Sequence, residues 1–111
     1  MDKYDYDIDV DALVIRKSVY DYAYSIDVTS EIILDVDSNK NLIGIEFLDA
    51  SKILDVEPEL LINPKKIFAK LVSTDEGIFL TMKFEFDSFT REVDTPVDNL
   101  VSSKDSLMVT A

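Results

Sequence analysis

The sequence contains no histidine, cysteine or tryptophan, and two glycines among its 111 residues. Without histidine, a Ser-His-Asp triad and an imidazole metal ligand are excluded. Without cysteine, the chain has no thiol nucleophile, disulfide, thiolate zinc site or iron–sulfur cluster. Two glycines are too few for a phosphate-cradling loop or a dinucleotide fingerprint. We therefore predict no catalytic residue and no bound cofactor.

Basic residues are also scarce, because 11 Lys and Arg stand against 23 Asp and Glu, for a net charge of −12. Binding to nucleic acids or anionic membranes depends on clustered cations. The only close basic pairs are Arg16-Lys17 and Lys65-Lys66, so we expect neither partner. A basic protein partner would suit this charge. The simpler alternative is that acidity only keeps the protein soluble.

Long apolar runs are missing as well. No stretch approaches the roughly 20 residues of a membrane span, and the first residues lack the apolar core of a signal peptide. These features predict a cytoplasmic protein. The hydrophobic fraction of 47% argues against disorder, and the chain length predicts one domain.

Alternation of apolar and polar residues predicts β-strands in the first half of the chain. Residues 4–11 alternate between apolar side chains and aspartates, residues 12–16 are nearly all apolar, and residues 20–28 alternate again. The clearest unit is a hairpin whose turn, residues 38–41, is rich in Ser and Asn. Its predicted register pairs Asp37 with Leu42, Val36 with Ile43, Leu34 with Ile45 and Ile32 with Phe47.

The second half predicts short helices and then another hairpin. Residues 49–54 favour a helix with Asp49 as N-cap, and Pro58 favours a further helical turn. The later hairpin turns at residues 74–77, and its register pairs Leu71 with Leu80, Ala69 with Met82 and Ile67 with Phe84.

Together these patterns predict an α+β, β-rich fold. It has one or two small antiparallel sheets built from hairpins, and one or two short helices between residues 49 and 63. Residues 1–94 are predicted to form a single β-rich domain, with the second hairpin region at residues 65–93. Residues 95–111 are predicted to be a loosely ordered tail.

Four motifs follow one another in the first half: Tyr6-Asp7, Asp11-Ala12-Leu13-Val14-Ile15-Arg16, Leu34-Asp35-Val36-Asp37 and Gly44-Ile45-Glu46-Phe47-Leu48-Asp49-Ala50-Ser51. On these motifs, residues 4–54 resemble the archaeal and bacterial family called domain of unknown function 2283. The resemblance implies a small β-rich fold, and no established activity, substrate or catalytic residue. The half from Asp55 onward lies outside it.

Two acidic patterns leave a cation site open as an alternative. Oxygen-bearing side chains occupy positions one, three, five and twelve of a calcium-type loop: Asp35, Asp37, Asn39 and Glu46. Position six is Lys40 rather than glycine, and the flanks are predicted strands, so a plain hairpin is the preferred interpretation. The other pattern is an acidic strand face containing Asp5, Asp7, Asp9 and Asp11, of which the first three are the candidate ligands.

A group of tyrosines offers an interaction surface, because Tyr and Arg are enriched at the centres of protein interfaces. The candidate residues are Tyr20, Tyr22, Tyr24 and Arg16. Tyrosines lining the edge of a core are the equal alternative. We predict a non-enzymatic protein–protein interaction module that forms a homodimer. The alternative is a divalent-cation-binding protein or a carboxylate-based, metal-dependent enzyme.

Overall fold

The computed structural model describes residues 2–18 and 21–97, and the backbone of the strand at 106–110. Its strands form two antiparallel sheets. The five strands of the first sheet are β1 Lys3–Asp7, β2 Ala12–Arg16, β3 Tyr24–Asp27, β4 Ile32–Val36 and β5 Leu42–Phe47. Their spatial order is β1-β2-β5-β4-β3, so β1 and β3 are the edges.

The second sheet has four strands in the order β8-β7-β6-β9. These are β6 Lys66–Thr74, β7 Gly77–Glu85, β8 Thr90–Val97 and β9 Ser106–Thr110. A short helix, α1 Ala50–Leu54, and a 3-10 turn at Pro58–Leu61 connect the two sheets. The predicted β-rich α+β fold, with short helices between residues 49 and 63, is confirmed. In the described part of the chain, no helix is long and apolar enough to cross a bilayer.

The core lies between the two sheets, because each sheet turns one apolar face towards the other. The largest fully buried side chains are Phe47, Phe84, Leu13, Ile15, Leu34, Leu42, Ile45, Leu61, Ile67, Leu80 and Met82. Phe47 of the first sheet meets Phe84 of the second edge-to-face, with ring centroids 6.2 Å apart. The Tyr4 hydroxyl adds a polar link by donating to the Leu61 carbonyl at 2.5 Å.

The hairpin of β6 and β7 has the predicted register. Its core-facing pairs are Ile67 with Phe84, Ala69 with Met82, and Leu71 with Leu80. A two-residue loop closes it between Thr74 and Gly77, and Gly77 adopts φ 129°, a conformation that side chains disfavour. The alternation of apolar and polar residues and the glycine at the turn were therefore sufficient to predict the register of this hairpin.

The structure of the β4–β5 hairpin corrects two predicted pairs. Val36 lies opposite Leu42 rather than Ile43, and a β-bulge follows Asp35. The cause is the turn, where the Asp37 amide donates to the Asn41 carbonyl at 3.0 Å, so Asp37 faces Asn41 rather than Leu42. The bulge absorbs the extra residue, and the pairs from Asp35 towards Ile32 keep the predicted register.

Two predictions about the first fifty residues were wrong in detail. The alternating strand does not continue to Val10, because the chain turns after Asp7, whose carboxylate accepts the Asp9 amide at 3.0 Å. Asp49 does not cap α1 through its side chain, since it adopts a left-handed conformation with φ 51°. Asp11 caps the helix instead, by accepting the Ser51 amide at 3.0 Å.

The segment predicted as a loose tail contains strand structure. Residues up to Val97 complete β8, and β9 pairs with β6 from Ser106 to Thr110. The sequence pattern did not reveal β9, since a strand of five residues far from its partner carries little local signal.

Candidate functional site

The free edge of β3 is the first candidate site. Among the described residues, β3 pairs with β4 on one side and with no strand on the other. The Val28 amide donates to the Ile32 carbonyl at 2.9 Å. Val28 and the residues two and four positions before it therefore turn their main-chain N–H and C=O groups towards β4. Because these groups alternate along an antiparallel strand, those of Ser25 and Asp27 point outwards. They form an open ladder that another strand can join.

A hydrogen-bonded chain of side chains orders the start of this edge. The Ser25 hydroxyl donates to the carboxylate of Asp35 at 2.8 Å, and Asp35 is 7% exposed. Since that bond uses the serine hydrogen, Tyr22 donates its own hydroxyl to Ser25 at 2.8 Å. Tyr22 is nevertheless 52% exposed. Its ring is therefore held in place while remaining accessible to a partner.

The core-facing side of β3 is incompletely covered. Tyr24, Ile26 and Val28 are all half-buried, and the last two pack against the rim of the core. Half-buried aromatic and β-branched side chains next to an open strand edge can be covered further by a neighbouring strand. The edge thus combines main-chain donors and acceptors with apolar area.

The four predicted interface residues do not form one surface. Tyr22 and Tyr24 lie at the β3 edge, whereas Tyr20 lies outside the described residues. Arg16 is at the end of β2, directly opposite Lys3 of β1. Two strands, β5 and β4, separate it from β3. The tyrosines and the arginine therefore belong to different parts of the sheet.

The residues of the calcium-type loop are also spread apart. Asp37 binds the turn, and hydrogen bonds from the Asn41 amide and then the Asn41 side chain lower the pKa of its carboxyl group, against a raising effect of desolvation. Glu46 lies opposite Ile33, four residues along the ladder from Asp37. At the usual rise of a strand this is about 13 Å.

Asp35 and Glu46 share the outer face of the sheet as diagonal neighbours, and Asn39 lies in the turn. The other cation candidate, the face of Asp5, Asp7 and Asp9, is broken because β1 ends at Asp7. Within the residues that the structure describes, no three acidic side chains are grouped to hold a metal ion.

Asp11, predicted as part of the acidic strand face, instead forms a polar cluster with Tyr6 and Ser51 that the sequence did not indicate. Its carboxylate accepts the Tyr6 hydroxyl at 2.6 Å and the Ser51 hydroxyl at 2.8 Å, besides the Ser51 amide. Burial by itself raises the pKa of Asp11, but the hydrogen bonds from Tyr6 and Ser51 outweigh it and lower the pKa. Desolvation and the bond to Asp11 raise the pKa of Tyr6.

The Asp11 cluster has a structural role, because it anchors α1 to the turn after β1. The main-chain carbonyl of Asp11 also accepts the Ala50 amide at 3.0 Å, so the turn after β1 holds the first residues of α1 twice. The sequence feature that could have indicated this cluster is the dipeptide Asp-Ala, which occurs at residues 11–12 and again at 49–50. Nothing in one sequence showed that the first aspartate caps the helix following the second.

Comparison with known proteins gives two matches. The family described as "Protein of unknown function (DUF2283)" matches residues 3–51. A protein of Methanosarcina mazei with the name "Putative hypoxanthine phosphoribosyltransferase" is 37% identical over 98 residues, which are 88% of this chain and 79% of that protein. No solved structure matches the chain.

Proposed function

Since residues 3–51 belong to the DUF2283 family of proteins of unknown function, we propose the function of the chain from its own geometry. It is an interaction module that self-associates through β3. The observation that carries the proposal is the open ladder of Ser25 and Asp27 beside half-buried apolar side chains. Exposed edges of small sheets are commonly closed by pairing with a second copy. Pairing of two β3 strands would join the two five-stranded sheets into one.

The outward-pointing groups select one register for this pairing. A two-fold axis through Ile26 places Ser25 of each copy opposite Asp27 of the partner subunit. The outward N–H and C=O groups of both copies then pair with each other and form four main-chain hydrogen bonds. On the core-facing side, Ile26 meets its own copy, and Tyr24 meets Val28 of the partner subunit. The register also keeps the two Asp27 carboxylates from facing each other.

Charge sets the salt dependence of this dimer. Each copy carries −12, so the two copies repel each other at long range, and added salt screens that repulsion. Dimerisation should therefore strengthen as ionic strength rises. A basic protein partner, which the same charge would suit, would show the opposite dependence.

Removing one outward amide tests the interface. In Asp27→Pro, proline removes a main-chain donor on the free side of β3, where a sheet tolerates it. We expect the dissociation constant of the dimer to rise by about ten- to a hundredfold, because two of four hydrogen bonds are lost. Light scattering after size exclusion, over a range of concentrations, gives the measurement.

Asp27→Ala is the matched control, since it removes the same carboxylate but keeps the amide, and we expect it to dimerise at least as well as the parent chain. A parent chain that stays monomeric at every concentration overturns the proposal. Equal weakening by the alanine and proline variants overturns the assignment to the β3 ladder. Repeating the runs with EDTA and with millimolar Ca²⁺ separates self-association from the cation-binding alternative, in which the mass depends on the metal.

A further inference from the structure

A cavity of about 550 Å³ lies at the open end of β1 and β2, far from β3 in the order of strands. Its lining includes Lys3, Arg16 and Lys17, together with Ser18 and Asp5. Three of the 11 basic residues of the chain therefore line one cavity of a protein whose net charge is −12. The cavity locally reverses the overall charge.

The register of the first two strands creates this cluster. Lys3 and Arg16 are direct partners across the β1–β2 ladder, so their side chains project from the same face. Lys17 follows Arg16, and its amide donates to the Ile43 carbonyl at 2.9 Å, which fixes the chain where it leaves β2. Two cationic side chains therefore lie next to each other on this face of the sheet.

We propose that this cavity binds a small phosphate-bearing molecule. The arginine fork can bind two phosphate oxygens at once, the lysines supply point charges, and Ser18 lines the cavity beside them. Asp5 is the carboxylate in the lining, and the ammonium group of Lys17 also acts on Asp37 nearby. Three cations and one carboxylate line the cavity, and Glu46 lies opposite Val14 on β5. The remaining positive charge favours a doubly charged phosphate over a singly charged carboxylate.

The size of the cavity agrees with this ligand class. Cavities that hold small molecules measure roughly 300–1,000 Å³, so this one has room for more than a bare phosphate group. Val14 is the aliphatic side chain in the lining. The recognised part of the ligand is therefore its charged end, and affinity should fall as salt rises, in contrast to the β3 dimer.

Calorimetric titration with pyrophosphate, and separately with inorganic phosphate and acetate, tests the proposal. For the full chain we expect saturable binding of pyrophosphate at millimolar concentration or below, weaker binding of phosphate and none of acetate. Arg16→Gln and Lys3→Gln should each weaken pyrophosphate binding about tenfold. The matched control is Lys83→Gln, which removes the same charge from an exposed position on β7 of the other sheet.

In the titrations, three results would overturn the site: no pyrophosphate binding by the parent chain up to about 10 mM, equal weakening in Lys83→Gln, or acetate binding as tightly as pyrophosphate. Amide NMR shifts of the parent chain keep the test independent of the variants. Pyrophosphate should move the signals of Lys3 and of residues 16–18, while those of β6 and β7 stay in place. Shifts spread evenly over the basic residues would indicate non-specific ion binding and reject the cavity.

Discussion

Alanine in place of Phe47 should lower the free energy of unfolding by about 3–5 kcal/mol, as expected for a large aromatic side chain truncated in a core. Phe47 is completely buried and reaches across the core to Phe84 of the other sheet. Because this packing holds both sheets in place, the neighbouring strands cannot fill the space left by the truncated side chain without moving a whole sheet. Urea unfolding followed by circular dichroism measures the loss.

Phe79→Ala is the matched control, because it removes the same side chain from a half-buried position on β7. We expect it to cost clearly less than Phe47→Ala. A cycle that adds Phe84→Ala and the double variant should give a coupling of about 1 kcal/mol between Phe47 and Phe84, the range found for aromatic pairs. Equal costs for Phe47→Ala and Phe79→Ala, or strictly additive losses in the cycle, would contradict this view of the core.

Asp11→Ala should cost about 2–3 kcal/mol of stability. The carboxylate receives hydrogen bonds from Tyr6 and from two groups of Ser51, and a bond to a charged group contributes about 1.5–3 kcal/mol. The three bonds do not add fully, since the cluster is partly open to water. The comparison is Asp9→Ala, in the same turn and exposed, for which thermal unfolding should show little change.

The cost of Asp11→Ala should also depend on pH. The folded-state pKa of Asp11 is lowered, while the unfolded value is about 3.9. Its ionised form therefore stabilises the fold fully above the unfolded pKa, and this contribution is lost as pH falls through the lower folded value. The stability gap between parent and variant should stay constant from neutral pH to about pH 5 and narrow below about pH 4. A gap that widens in acid would reject the role given to the carboxylate.

The fold could be predicted where local patterns and long-range contacts agree. In the hairpin of β6 and β7, alternation and Gly77 specify one register, and the structure has it. In the hairpin of β4 and β5, Leu42 and Ile43 are both apolar, so alternation could not decide which of them faces Val36. The turn at Asp37 decided it, through side-chain hydrogen bonds that a hydrophobicity pattern does not contain.

The candidate sites were harder to predict, because they depend on which strands become neighbours. Tyr22 and Tyr24 could be selected from residue type alone, and their role in an interface stays a prediction, as does a cytoplasmic location. Arg16 was grouped with them, although β5 and β4 separate it from β3. The pairing of Lys3 with Arg16 joins residues from two strands, so the spacing of basic residues along the chain gave no hint of a cationic cavity.

The way in which α1 is held has a consequence for the order of folding. A helix of five residues has no stability alone, since nucleation costs more than so few hydrogen bonds return. Its cap is a carboxylate 40 residues earlier in the chain, so the helix must wait until β1, β2 and β5 are aligned. We expect it to form late and to open before the sheets do, so that the Ser51 amide exchanges with solvent through a local fluctuation that leaves both sheets intact. Loss of Asp11 should therefore accelerate unfolding and leave the folding rate nearly unchanged.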